Sequence, residues 1–223
     1  MIESTQILPE GKTAEQLTGH PGDSGFHSRE DVQVKAKLRI PVTIIILLLN
    51  IAGMIYEYTQ GQRLILYRYG MYQGALADGE YVRLIASGFL HFDIYHLASN
   101  MVCLVMYGMS LESRIGSAKY GVIYLIGLLG SGLLVNFAGG VNALHAGASG
   151  AIWALMTATL IYNLRNDINP AYALQGIIVN LLYSFSAGVS WQGHIGGGIA
   201  GAAAAALLCR SNEPKNYYEN DRM

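Results

Sequence analysis

Apolar residues in this chain gather into long unbroken runs separated by short polar connections, and strict alternation is rare. Runs of that length, with almost no charge inside them, are the mark of helices that sit in lipid. Six such spans follow an initial polar stretch. They run from about Ile40 to Tyr56, Phe92 to Leu111, Tyr120 to Phe137, Ala148 to Tyr162, Ala171 to Phe185 and Val189 to Leu208. Several are shorter than the ~20 residues an isolated spanning helix prefers, so tilt, local thinning or shielding by neighbours must accommodate them. The pattern predicts an all-α polytopic membrane protein with six transmembrane helices.

Composition agrees with that class. Hydrophobic residues make up 52% of the chain and charged residues only 13%, where a soluble domain carries about a quarter. The net charge of −1 offers no basis for a nucleic-acid partner. Gly and Ala cluster in the apolar runs, as expected where helices pack closely in lipid. Cys103 and Cys209 both lie in such runs and read as small buried hydrophobes, supporting neither a disulfide framework nor a zinc site. Residues 1–38 form a polar N-terminal extension without the basic start and early apolar run of a secretory signal. Residues 39–209 form the helical core, and residues 210–223 a polar C-terminal tail.

Charge asymmetry gives an orientation. Lys35, Lys37 and Arg39 precede the first span, and Arg114 and Lys119 lie between the second and third. Arg165 lies between the fourth and fifth, and Arg210, Lys215 and Arg222 follow the sixth. All of these fall on one side, which the positive-inside rule makes cytoplasmic, with both termini there. The first connection, Glu57 to His91, is the exception, carrying Arg63, Arg68 and Arg83 on the other side. At about 35 residues it is too long for an idle loop. Its apolar run Leu64-Ile65-Leu66-Tyr67 predicts a structured element resting in the membrane interface.

Helical spacing sorts the few polar residues within the spans. Ser149 opens the fourth span between Gly147 and Gly150, and Trp153 follows it one turn later on the same face. If Ser149 begins a helix, backbone N–H groups nearby are unpaired and can receive an anionic oxygen. The same small residues also serve a plain helix contact. On the sixth span, His194, Gly197, Gly201 and Ala205 form one narrow face that lets this helix lie almost backbone to backbone against a neighbour. Gly196 lies off that face and should tolerate a side chain better than Gly201. A histidine at membrane depth is costly unless used, and a neutral imidazole can take a serine proton. On the second span, His96 and Asn100 share a face. They suit either stabilisation of a negative oxygen or an interhelical polar clasp. None of the last four spans contains Asp or Glu, so a carboxylate orienting His194 from there is excluded and a Ser–His dyad is expected. His145 is a nearby second imidazole that, as a loop residue, should contact water or lipid headgroups. Metal-protease chemistry would need ligands such as His-Glu-x-x-His, which the sequence lacks.

Taken together, these residues resemble the rhomboid family of intramembrane serine proteases. The family pattern of His-x-x-x-Asn on the second helix, Gly-x-Ser-Gly at the fourth and His-x-x-Gly-x-x-x-Gly on the sixth reads here as His96 to Asn100, Gly147 to Gly150, and His194 to Gly201. A first-loop Gly-Glu-x-x-Arg appears as Gly79 to Arg83, and Glu-x-Arg-x-Gly after the second span as Glu112 to Gly116. The resemblance covers about residues 40–208 and leaves both tails outside it.

The resemblance implies a six-transmembrane-helix rhomboid-like bundle that hydrolyses peptide bonds in or beside transmembrane segments of other membrane proteins. It implies Ser149 as nucleophile and His194 as base. His96, Asn100 and the Ser149 N–H would form the oxyanion hole, and Gly147, Trp153, Gly197 and Gly201 would support the site. Trp153 would stack on His194 where relatives commonly carry Tyr. Many members have Trp-Arg where this chain has Val82-Arg83, a departure in the loop and not in the chemistry. Neither metal nor organic cofactor is implied. The expected partners are transmembrane protein substrates and membrane lipids, and the expected place is a cell membrane. The alternative within the same fold is an inactive rhomboid-like protein that binds and routes transmembrane clients.

Overall fold

The structure is a computed structural model, and it describes residues 40–140, 143–185 and 188–209. The polar extension and tail assigned to residues 1–38 and 210–223 therefore lie outside the described residues.

Each expected span is a helix. They are α1 (Pro41–Gln60), α4 (Ile94–Ile115), α5 (Ser117–Ala138), α6 (Ser149–Arg165), α7 (Ala171–Ser184) and α8 (Trp191–Leu208). Short helices α2 (Gln62–Tyr69) and α3 (Arg83–Ala86), followed by a 3-10 turn at Ser87–Phe89, fill the long first connection. Among the described residues, α1, α4 and α5 are long and apolar enough to cross a membrane, and α7 is apolar but shorter. The chain is an integral membrane protein of all-α fold.

Helix ends differ from the sequence expectation in an informative way. α4 runs on to Ile115 and α5 begins at Ser117, so only Gly116, with φ of 81°, separates them. Glu112 and Arg114 are consequently helical, and each is partnered. The Glu112 carboxylate is fully buried and accepts from the Val42 N–H at 3.0 Å, the Thr43 N–H at 2.8 Å, the Thr43 hydroxyl at 2.7 Å and the Ser117 hydroxyl at 2.6 Å. It thus caps the first turn of α1, whose leading N–H groups have no acceptor within their own helix, and ties the start of α5 through the Ser117 hydroxyl. Arg114 donates to Asn163 Oδ1 at 3.0 Å and so joins α4 to the end of α6.

The first connection is held from within by Arg83, which is buried and donates to the carbonyl oxygens of Tyr67 at 2.9 Å and Gly70 at 2.7 Å. Its guanidinium also lies 4.9 Å over the Tyr72 ring. The segment is structured, as expected from its length. It leaves Leu64, Tyr67, Tyr81 and Val82 exposed.

α6 is the central helix, with every residue from Gly150 to Met156 buried. α8 lies against it without intervening side chains. A β-carbon on Gly197 would overlap the Gly150 carbonyl oxygen, and one on Gly201 would overlap the Ala154 backbone. The expected packing face is therefore where the sequence spacing put it. The expectation for Gly196 is corrected: its opposite side is equally tight. A β-carbon there would overlap the Gly130 carbonyl oxygen and stand 2.7 Å from the Leu134 side chain on α5. α8 is wedged between two helices, and a face free of one neighbour belongs to the other.

Candidate active site

Ser149 is the first residue of α6, preceded by Gly147 at φ of 128°. That backbone angle disfavours any residue with a β-carbon. Space adds a second constraint, because a β-carbon at Gly147 would lie 2.8 Å from His96 Cε1 and 2.9 Å from Nε2. The glycine therefore lets the His96 ring close over the chain just before Ser149.

His194 enters from α8, whose first turn is capped by Ser190 accepting from the Gly193 N–H at 3.3 Å. The close approach of α8 to α6 places His194 Nε2 2.9 Å from Ser149 Oγ. The Trp153 indole, one turn beyond Ser149, lies on the imidazole with ring centroids 5.5 Å apart and planes at 20°. His194 Nδ1 lies 2.5 Å from Ser184 Oγ on α7.

From α4, whose first turn is capped by Asp93 accepting from the His96 N–H at 2.8 Å, come His96 and Asn100. The His96 ring stacks on Phe92 and meets the edge of His91 with centroids 5.1 Å apart. Asn100 donates one amide hydrogen to the His96 carbonyl oxygen at 2.8 Å, leaving the second for another acceptor. Ser149, His194, His96, Asn100, Trp153 and Asn180 all line one cavity of about 620 Å³. That volume is in the range of small-ligand sites.

Two features depart from the sequence reading. His145, half-buried at the cavity wall, also has protein partners that its loop position did not foretell: its Nδ1 lies 2.7 Å from Ser190 Oγ, and its backbone pairs with Met71 in both directions. The residue ties the first connection to the start of α8, and burial holds its imidazole below the usual histidine range. His91 and Ser184 carry no sequence pattern that marks them. His91 is fully buried behind His96, with its N–H donating to Glu57 Oε1 at 2.9 Å. Burial, with His96 adding to it, pushes the His91 imidazole down to about 3, so it stays neutral against its neighbour. No periodicity could have paired Ser184 with His194, because the two residues belong to different helices.

The fold and the site define an all-helical membrane protein in which a serine hydroxyl and an imidazole meet at the wall of a cavity. The family model described as Rhomboid domain matches residues 78–211, and the chain belongs to the rhomboid family. It is 35% identical over 134 residues to RHOMBOID-like protein 5 of Arabidopsis thaliana, covering 56% of this chain and 43% of that protein. It is 36% identical over 141 residues to Rhomboid protease GluP of Bacillus subtilis, covering 60% of this chain and 27% of that protein. Against Rhomboid protease AarA of Providencia stuartii the identity is 29% over 210 residues, covering 76% of this chain and 74% of that protein. The chain thus spans less than half the length of the first two relatives.

Proposed function

We propose that this protein is an intramembrane serine endopeptidase that cleaves peptide bonds in or next to transmembrane segments of other membrane proteins. The observation that carries the reading is the 2.9 Å approach of His194 Nε2 to Ser149 Oγ at the wall of a cavity large enough for a peptide segment. A weak nucleophile beside a base within hydrogen-bond reach is the arrangement acyl transfer requires.

In this mechanism Ser149 Oγ attacks the substrate carbonyl carbon while its proton passes to His194 Nε2. The negative oxygen is received by the Ser149 N–H, which at the first position of α6 has no intrahelical acceptor, and by the side chains of His96 and Asn100. As the C–N bond breaks, the imidazolium returns its proton to the leaving amine. Water then attacks the acyl-enzyme, with His194 again taking a proton, and Ser149 is released. An intact substrate helix hides its carbonyls, so it must unwind locally. Helix-weakening and small residues near the cut should favour cleavage.

The cavity belongs on the non-cytoplasmic side, because the Lys and Arg residues between spans place the opposite helix ends in the cytoplasm. All six long helices cross the bilayer in this reading, with both termini cytoplasmic and a cell membrane as the location. Exposed apolar residues on α1 and α7, including Leu48, Ile55, Val179 and Leu182, suit contact with lipid. The reading is tested by incubating detergent-purified protein with labelled single-span substrates beside Ser149→Ala. Cleavage that vanishes in Ser149→Ala is expected. Equal product from both proteins would refute the serine mechanism. Binding of substrates without any cleavage would favour a client-binding rhomboid-like protein instead.

A further inference from the structure

Both ring nitrogens of His194 have protein partners. Nε2 faces Ser149, and Nδ1 lies 2.5 Å from the hydroxyl oxygen of Ser184. Ser184 is the last residue of α7 and is 1% exposed. Its hydroxyl also donates to the Asn180 carbonyl oxygen, one turn earlier, at 2.7 Å. A hydroxyl has a single hydrogen. With that hydrogen on the Asn180 carbonyl, the Ser184 oxygen can only accept from His194, so Nδ1 must carry a hydrogen. A neutral imidazole has one N–H, which leaves Nε2 with the lone pair directed at Ser149.

We propose that Ser184 is a positioning residue for the reaction, holding His194 in the Nδ1–H tautomer and stabilising the imidazolium that forms when Nε2 takes the Ser149 proton. The proposal rests on the reading of Ser149 and His194 as nucleophile and base. It fills the place of the orienting carboxylate that the last four spans lack. A neutral hydroxyl does that work without burying a second charge. The end of α7 adds to the effect, since the carbonyl end of a helix favours a nearby cation. A run of hydrogen bonds thus leads from Ser149 through His194 and Ser184 and ends on the Asn180 carbonyl oxygen in the α7 backbone. Trp153 restrains the plane of the ring, and Ser184 selects which nitrogen is bare. No proton moves to Ser184: the Ser149 proton rests on Nε2, and Nδ1 keeps its own hydrogen throughout.

The test uses the full chain in detergent micelles with histidine ring nitrogens labelled by 15N, the His194 signals being identified with His194→Gln. At a pH where His194 is neutral and without substrate, the nitrogen shifts report the tautomer. The Nδ1–H form is expected in the unmodified chain and in Ser184→Thr, with a shift toward the Nε2–H form in Ser184→Ala. In cleavage assays Ser184→Ala should lose about 10- to 100-fold in kcat, the value of a hydrogen bond to a charged group, with KM near the unmodified value. Ser184→Thr should recover most of that loss. An Nε2–H tautomer in the unmodified chain, undiminished kcat in Ser184→Ala, or an equal loss in Ser184→Thr would overturn the proposal. If the unmodified chain cleaves no substrate, the proteolytic reading fails by itself, and the tautomer measurement still decides whether Ser184 orients His194.

Discussion

Gly197 on α8 lies so close to Gly150 on α6 that a single β-carbon would overlap the Gly150 carbonyl oxygen. Gly150 follows Ser149, and Gly197 lies one turn beyond His194, so the contact that excludes a methyl group is also the one that sets the distance between hydroxyl and imidazole. The Ser149–His194 approach is therefore a property of helix packing and depends on residues that take no part in bond making.

Substitution along that contact should act on rate and stability together. Gly201→Val should lose about 10² in kcat if it moves His194 by ~1 Å. Overpacking should also destabilise it by roughly 1–3 kcal/mol. Gly196→Val should be similarly unstable, because the α5 side of α8 is as crowded as the α6 side. Thermal unfolding measured beside cleavage checks both. Wild-type stability in Gly196→Val would mean that α8 is not wedged between α5 and α6.

The Ser149–His194 pair should behave as a unit. Ser149→Ala and His194→Ala should each abolish cleavage, and the double variant should be no worse than either. His145→Ala should retain most activity, since its imidazole is engaged with Ser190. A loss in His145→Ala as deep as in His194→Ala would reassign the base.

His96→Ala and Asn100→Ala should lower kcat more than they raise KM, because they act on charge that develops in the transition state. Loss of one such donor costs on the order of 10²–10³ in rate. An effect confined to KM, read from full saturation curves, would move this face to substrate binding.

The stacked Trp153 ring gives a graded expectation. Trp153→Tyr should keep most activity, whereas Trp153→Ala should lose up to about tenfold in kcat, the order expected for an aromatic pair worth ~0.5–1.5 kcal/mol. A Trp153→Ala protein as active as the unmodified chain would show that the stack on His194 does not hold the ring.

Glu112→Ala should act on the fold and leave the chemistry alone. It strands the Val42 and Thr43 N–H groups in a buried site, at about 1–3 kcal/mol for an unsatisfied group. A lower unfolding temperature with KM unchanged in the protein that remains folded is the expected pair of readings. Unaltered thermal stability would show that the Glu112 clasp does not hold α1 to α4 and α5.

Local periodicity was enough for the helices and for the faces along them. Charge-free runs marked the helices, Ser149 fell where a helix begins, and the spacing of His194, Gly197 and Gly201 defined the face that meets α6. Those features depend only on residues one or two turns apart, which share a face in any α-helix. Which helix stands beside which depends on long-range packing that no local spacing encodes. Gly196 is crowded because α5 occupies the other side of α8. His145 faces Ser190 because Met71 pairs with its backbone, and the buried Glu112 caps α1, which starts far from it in sequence. Ser184 is the sharpest case. It sits in an apolar run with no spacing relation to His194, and only the folding of α7 against α8 brings its hydroxyl to the imidazole.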